Sequence, residues 1–109
     1  MDDNEFRKRA DDALTTLQRA LEKASDHYDF EVDRHQGALT IEFEDPPAKF
    51  VISPNSPVRQ IWVSARVQSF KLEWNADSAA FILPDGRPLV RLIEDVISEQ
   101  LGERVSLSR

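Results

Sequence analysis

The fold of this chain is decided by two short stretches, Asp29-Phe30-Glu31-Val32-Asp33 and Ala38-Leu39-Thr40-Ile41-Glu42-Phe43. Apolar and polar residues alternate in both, and alternation with a period of two is typical of a β-strand with one buried and one solvent-facing side. His35-Gln36-Gly37 lies between the stretches and supplies a turn. The pair therefore predicts a β-hairpin whose apolar residues face a core and whose acids face water.

Further strands are predicted beyond this hairpin. Pro46-Pro47 marks the next turn, and the proline-rich segment 53–57 is expected to end the third strand, because proline lacks the N–H group that a sheet needs. Pro84-Asp85-Gly86 should end the sheet. The predicted strands are residues 29–33, 38–43, 49–52, 59–64, 70–74 and 81–83.

Apolar residues at three- and four-residue spacing predict a helix at each end of the chain. The first would have about 22 residues and a length of roughly 33 Å. Gly102 follows the second at a plausible C-cap. Together these elements predict one α+β domain over residues 1–109, a two-layer sandwich with both helices on one face of a five- or six-stranded antiparallel sheet. The predicted helical stripes are Phe6, Ala10, Ala13, Leu14, Leu17, Leu21 and Ala24, then Leu89, Leu92, Ile93, Val96, Ile97 and Leu101.

Composition agrees with one packed core. The chain has 109 residues, of which 40% are apolar and 31% charged, far from the profile of a disordered chain. It contains no cysteine. Disulfides, thiolate metal sites and ligation of an iron–sulfur cluster by this chain are therefore excluded.

The net charge of −6 argues against nucleic acid and anionic membranes as partners, because both are negatively charged. Residues 1–45 hold 13 acids and 6 bases, whereas residues 46–109 hold 7 acids and 8 bases. No apolar run approaches the ~20 residues of a membrane span, and the acidic N-terminus is unlike the basic start of a signal peptide. We expect a cytoplasmic protein that does not bind a membrane.

No catalytic constellation is evident in the sequence, so we do not expect an enzyme. His27 and His35 lie in polar surroundings at the ends of the first predicted strand and are best explained as solvated histidines. The spacing of the acids from Asp29 onward resembles a calcium loop, but Arg34 stands where that loop needs glycine and Thr40 where it needs glutamate.

An acidic cluster is the strongest candidate for chemistry. Five carboxylates lie between residues 22 and 33, opposed only by Lys23. Oxygen ligands favour hard cations, ferric iron among them. Alternate strand residues are about 6.6 Å apart, so binding should be weak, exchangeable and partly through water. Two other interpretations remain open, a solvated acidic face and a docking surface for a basic protein. The five are Glu22, Asp26, Asp29, Glu31 and Asp33.

Trp62 is the second candidate. If Ile61 and Val63 face the core, the alternation places Trp62 on the solvent side of the sheet. Exposed tryptophans are common anchors of protein interfaces. The alternative is that Arg59 or Arg66, or a loop of the chain itself, covers the ring. Trp74 alternates in step with Phe70 and Leu72 on its own strand and is therefore predicted to lie in the core.

The segment Asn55-Ser56-Pro57-Val58-Arg59-Gln60-Ile61-Trp62-Val63, with Gly37-Ala38-Leu39-Thr40-Ile41 and the acidic first helix and strand, resembles bacterial frataxin, the CyaY family. The resemblance spans nearly the whole chain. It implies an iron-binding protein that attaches to the cysteine desulfurase and the scaffold protein of iron–sulfur cluster assembly, as iron donor or as regulator, and we expect a monomer in the absence of metal.

Site residues follow from the same resemblance. It implies an acidic ridge that binds iron, as Fe2+ or Fe3+, weakly and exchangeably. It also implies a partner-binding surface formed by Gln60 and Trp62 together with four ridge residues, Glu22, Asp29, Glu31 and Asp33. The six residues of the acidic ridge are Asp11, Glu22, Asp26, Asp29, Glu31 and Asp33.

Two other functions compete with this hypothesis. A ridge that held two ferrous ions close together could favour their oxidation, which would make the protein a weak ferroxidase. A small acidic chaperone or adaptor, similar to a secretion chaperone and without a metal role, would share the size, the low pI and the α+β composition.

Overall fold

The computed structural model describes residues 1–107. Within them two α-helices, one before and one after the strands in the chain, pack on one face of a six-stranded antiparallel sheet. The strands lie side by side in the order in which they occur along the chain. A 3₁₀ turn, Ser56–Val58, joins the third strand to the fourth. The predicted fold class is therefore confirmed. The elements are α1 (Asp3–Ala24), β1 (Glu31–His35), β2 (Ala38–Glu44), β3 (Pro47–Asn55), β4 (Gln60–Ala65), β5 (Gln68–Asn75), β6 (Ala80–Ile82) and α2 (Leu89–Leu101).

Both helices bury the apolar stripes that the sequence predicts, except that Ala13 and Leu101 are only partly buried. The carboxylate of Asp2 caps α1 by accepting the backbone N–H of Glu5 at 2.8 Å, which satisfies one of the free donors at a helix start. Gly102 ends α2 in the left-handed conformation, with φ of 71°, as expected for a C-cap glycine. Six residues of α1 are buried, namely Phe6, Ala10, Leu14, Leu17, Leu21 and Ala24.

The core lies between the helices and one face of the sheet. Phe50 and Ile52 of β3 are fully buried beneath the helices. Phe43 packs against Phe50 with ring centroids 4.8 Å apart, and Phe6 of α1 meets Phe81 of β6 edge to face at 5.9 Å. The first contact joins β2 to β3, and the second joins α1 to β6.

The first strand lies two residues later than predicted. It spans Glu31–His35 rather than residues 29–33, and His35 pairs with Ala38. Gln36 and Gly37 both have positive φ, 51° and 82°. They form a two-residue turn, which allows the two strands to stay paired as far as the residues next to it. Asp29 therefore precedes β1 instead of belonging to it.

The third strand is longer than predicted, and the expectation that segment 53–57 ends it was wrong. β3 runs from Pro47 to Asn55, with Pro54 opposite Ile61 of β4. Pairing between β2 and β3 stops at Ile52, so beyond that point β3 has one neighbouring strand. Proline is tolerated there because its missing N–H leaves no partner unsatisfied. The turn before β3 accordingly comprises Asp45 and Pro46 alone.

Trp74 is half-buried, and the prediction that it lies in the core was only partly right. Its ring packs edge to face on Phe81 at 5.2 Å. The guanidinium of Arg9 covers the ring at 4.4 Å from the centroid. Arg9 of α1 therefore covers part of the Trp74 ring that the apolar core does not bury.

A five-residue tail after α2, residues 103–107, folds back along that helix, which the sequence patterns did not indicate. The N–H of Val105 donates to Ser98 Oγ at 2.8 Å, and the N–H of Leu107 donates to Glu94 Oε2 at 2.6 Å. Val105 is fully buried and Leu107 nearly so. The tail is therefore part of the core.

Ion pairs tie the start of α2 to the same tail. Asp95 accepts the guanidinium of Arg87 at 3.1 Å and that of Arg104 at 3.4 Å. Asp85 accepts the backbone N–H of Arg87 at 2.9 Å. That hydrogen bond, with the nearby guanidinium, holds the pKa of Asp85 below its usual value, and the bond to Asp95 raises the pKa of Arg87.

A pair of identical substitutions tests the role of the tail. We expect Val105→Ala to lower the free energy of unfolding by about 1.5–3 kcal/mol, because two buried methyl groups are lost and a cavity remains. Val67 is fully exposed at the β4–β5 turn, so Val67→Ala should change stability by less than about 0.5 kcal/mol. Urea denaturation of the variants measures both. Equal effects would mean that the tail is not part of the core.

Candidate functional site

β1 forms one edge of the sheet and carries acids on its solvent side. Glu31 and Asp33 are exposed, whereas Val32 between them faces the helix layer. Asp26 and Asp29 are exposed in the connection between α1 and β1. Within residues 1–107 none of these four carboxylates takes part in an ion pair. The ridge therefore keeps most of its charge on this side of the molecule.

Asp11 is placed differently, because Arg34 neutralises it. Arg34 lies opposite Leu39, on the side of β1 that faces α1, and its side chain is only 19% exposed. Its guanidinium donates to Asp11 Oδ1 at 2.8 Å, to Thr15 Oγ1 at 3.0 Å and to Gln18 Oε1 at 3.2 Å. The ion pair with Arg34 compensates the charge of Asp11, which leaves this carboxylate a weaker attraction for a metal or a partner than an unpaired one.

Helix geometry explains why these groups meet. Residues spaced by three or four positions lie on one face of a helix, so Asp11, Thr15, Gln18 and Glu22 form a polar stripe along α1. Glu22 accepts a hydrogen bond from Gln18 Nε2 at 3.2 Å. Arg34 occupies the first part of the stripe and leaves Glu22 at its far end. The predicted ridge is thus divided between a neutralised Asp11 and a group of exposed acids near the α1–β1 connection.

Glu42 is a further acid of this region, beyond the run of acids between residues 22 and 33. It lies on β2 directly opposite Glu31, and both side chains are exposed. Glu31, Asp33 and Glu42 line a shallow depression together with Ser25. The strand parity of β2 already placed Glu42 on the solvent side, and only the register of the hairpin showed that it faces Glu31. On its other side Glu42 lies opposite Lys49 of β3.

The acids are not arranged as a chelating site. Among residues 1–107 no three His, Asp or Glu side chains converge so as to hold a metal ion. A hard cation at this surface would therefore take one or two carboxylates from the protein and the rest of its shell from water. Such binding is weak and exchangeable, since each ligand adds little when it is not preorganised.

Trp62 lies on the solvent side of the sheet, as its parity predicts, and is 38% exposed. Its indole N–H donates to Gln60 Oε1 at 2.8 Å, and Gln60 Nε2 donates to Glu73 Oε2 at 3.0 Å. Lys71 lies opposite Trp62 on β5, with Nζ 4.9 Å from the ring centroid. We refer to Gln60, Trp62, Lys71 and Glu73 as the tryptophan face.

The partial cover of Trp62 comes from Lys71 and not from the arginines considered from the sequence. Arg59 pairs instead with Asp3 of α1 at 3.6 Å, and Arg66 lies 4.0 Å from Glu99 of α2. Because Lys71 is the cross-strand neighbour, only the pairing of β4 with β5 could identify it.

The tryptophan face and the acids of β1 and β2 share the exposed face of one sheet. Neighbouring strands are about 4.8 Å apart, so β2 and β4 are separated by roughly 10 Å. The outward residues of β3 lie between them, with Ser53 opposite Trp62, Lys49 opposite Glu42 and the half-buried Val51 between these two. A single partner of ordinary interface size could contact both groups at once.

Neither helix found in residues 1–107 is long and apolar enough to cross a membrane.

Comparison with known proteins supports the resemblance in the sequence. The family model described as "Frataxin-like domain" matches residues 1–103. The chain is 35% identical over 107 residues to the iron-sulfur cluster assembly protein CyaY of Dechloromonas aromatica, covering 98% of this chain and 99% of that protein. It is 29% identical over 107 residues to the protein of the same name from Tolumonas auensis, with the same coverage.

A solved structure shares the fold. The frataxin of Psychromonas ingrahamii, from a study of stability within the CyaY protein family, aligns with a TM-score of 0.85 and 24% identity over 100% of both chains. Since the family model spans nearly the whole sequence and the fold agrees with it, the chain belongs to the frataxin-like family, that of the bacterial CyaY proteins.

Proposed function

We propose that this protein serves iron–sulfur cluster assembly in the cytoplasm, by binding iron at the acidic ridge and docking on the cysteine desulfurase and its scaffold protein. The name shared by its CyaY relatives supports a role in this assembly. The observation that carries the proposal is the group of exposed carboxylates at β1 and the connection before it, which within residues 1–107 have no cationic partner. We assign no bond-making step to the protein.

Iron would bind to carboxylate oxygens, which suit hard cations. Glu31 and Asp33 are the ridge residues best placed for this, with Glu42 as an additional neighbour of Glu31. Asp29 is a further exposed acid just before β1. Asp26 and Glu22 lie next to them in sequence and extend the negative potential. Asp11 contributes less, because its charge is compensated by Arg34. Loose coordination suits a protein that must release its ion to a partner.

Docking would use the same charges. A surface of uncompensated carboxylates attracts a basic partner and orients it during encounter. Trp62 would then supply apolar contact area beside the charged region, with Gln60 as its polar neighbour. Charge and ring together match the division of an interface into a polar rim and an apolar anchor.

The two competing functions receive less support. Oxidation of two ferrous ions needs adjacent, well-held metals, and the carboxylates of residues 1–107 do not converge to hold even one tightly. A secretion-chaperone-like adaptor usually presents a broad apolar surface. The outward positions of β1 and β2 in this protein are instead mostly acidic or hydroxylic.

Titration with Fe2+ without oxygen, and with Fe3+, tests the metal role. We expect the NMR signals of Asp29, Glu31 and Asp33 to shift or broaden first, because their carboxylates are free. Asp11→Asn should leave the titration nearly unchanged, whereas Glu31→Gln should weaken it, although each of the two variants removes one negative charge. Absence of changes at these three residues would favour the adaptor hypothesis.

A charge-neutral ridge tests the docking role. Replacing Glu22, Asp29, Glu31 and Asp33 by their amides should weaken binding to the desulfurase by about tenfold or more at low salt, because the attraction is electrostatic. The control removes four exposed acids elsewhere and should keep most of the affinity. Calorimetry at two ionic strengths measures both, and equal losses would show that net charge matters rather than the ridge. The control residues are Asp12, Asp77, Glu99 and Glu103.

Substitution of each tryptophan in turn tests the anchor. Trp62→Ala should weaken scaffold binding by about 2 kcal/mol or more, while lowering the free energy of unfolding by only about 1 kcal/mol. Trp74→Ala should leave scaffold binding nearly unchanged and lower the free energy of unfolding more than Trp62→Ala does. The reason is that the Trp74 ring packs on Phe81 and not on the exposed face of the sheet. Scaffold titration and urea denaturation of both variants measure the two effects. Unchanged scaffold affinity of Trp62→Ala would remove Trp62 from the interface.

A further inference from the structure

The side-chain amide of Gln60 lies between two groups that have opposite requirements. The indole nitrogen of Trp62 can only donate a hydrogen bond, and an ionised carboxylate such as Glu73 can only accept one. Gln60 Oε1 accepts from Trp62 at 2.8 Å, and Gln60 Nε2 donates to Glu73 at 3.0 Å. All three side chains lie on the outward face of the sheet.

These requirements decide which way the amide points. In the reversed orientation its NH2 group would face the indole N–H, and its oxygen would face the carboxylate of Glu73. Both contacts would be repulsive. Glu73 therefore acts together with the indole N–H to select the orientation in which the oxygen of Gln60 is turned towards Trp62.

The strand register holds the chain of bonds in place. Glu73 is directly opposite Gln60 across the β4–β5 pair, and Lys71 is directly opposite Trp62. Gln60 and Trp62 are two residues apart on β4 and so share one side of it. Lys71 rests against the ring while Gln60 fixes its nitrogen edge. The indole is thus restrained from two sides by residues of its own and the neighbouring strand.

We infer that Glu73 is a positioning residue for docking: it acts through Gln60 to hold the Trp62 ring in the orientation that a partner meets. The inference rests on the proposed docking role of Trp62. It adds that the indole N–H is satisfied within the protein, which leaves the ring itself as the contact for a partner. Holding the ring in advance reduces the conformational entropy lost on binding.

The first test uses the protein without any partner. The chain has two tryptophans, so a nitrogen-15 spectrum shows two indole N–H signals, and that of Trp74 serves as internal reference. Glu73→Ala should move the Trp62 indole signal and speed its exchange with water, whereas Glu73→Gln, which keeps an acceptor oxygen, should preserve both. Glu103→Ala removes an equal charge from an exposed site and should change neither. An unmoved Trp62 signal in Glu73→Ala would overturn the inference.

The second test measures the affinity of the same variants for the scaffold protein. Glu73→Ala should weaken binding about fivefold, the effect of losing one modest hydrogen bond, and Glu73→Gln should restore it. If Trp62→Ala weakens binding and Glu73→Ala does not, the positioning role is wrong although the docking role stands. If Trp62→Ala itself has no effect, the docking role fails, and the indole spectrum still decides whether Glu73 holds the ring.

Discussion

Two helices cover one face of a six-stranded sheet, and this one-sided burial is the constraint on which the rest of the protein depends. Fully buried residues such as Phe50, Ile52 and Ile61 hold alternate positions of the strands against α1 and α2. A shift by one residue would bring the outward side chains into the core. The large free energy of burying the apolar face therefore also fixes which side chains are presented to water.

The exposed face can then hold charges that would be costly elsewhere. Glu31 lies directly opposite Glu42, and like charges in such cross-strand pairs are destabilising. Water and salt screen the repulsion because both side chains are exposed. The free energy of burying the core outweighs the repulsion that remains. The negative electrostatic potential of these side chains can therefore attract a cation or a basic partner. Arg34 shows the opposite treatment on the covered side, where a partly buried guanidinium takes three acceptors from α1.

Much of the fold could be predicted because it rests on local periodicity. The helical stripes, the hairpin around Gly37, the C-cap at Gly102 and the outward parity of Trp62 all follow from residue spacing. The continuation of β3 through Pro54 could not be predicted from the proline itself. Whether a proline is tolerated in a strand depends on whether a neighbour requires its N–H, and that neighbour is known only from the sheet topology.

The candidate site could likewise be predicted from the sequence only in part. Five of its acids are close together in the sequence, between residues 22 and 33, and could be predicted for that reason. Glu42 is distant from them in sequence and lies beside Glu31 only because β1 pairs with β2. The role of Arg34 could not be predicted either, because only the path of α1 past β1 places its guanidinium against Asp11. The tail after α2 also offered no period to recognise, because residues 103–107 form neither helix nor strand.

The sequence by itself determined the type and order of the elements, most of their buried sides and the excess of acid in the first half of the chain, since these depend on neighbours at fixed short separations. Only the tertiary structure decided which charges are neutralised and which residues surround Trp62. Asp11 and Arg34 are 23 positions apart, and Gln60 and Glu73 are 13 apart. Contacts over such separations depend on strand register and helix placement, which the packing of the whole core establishes.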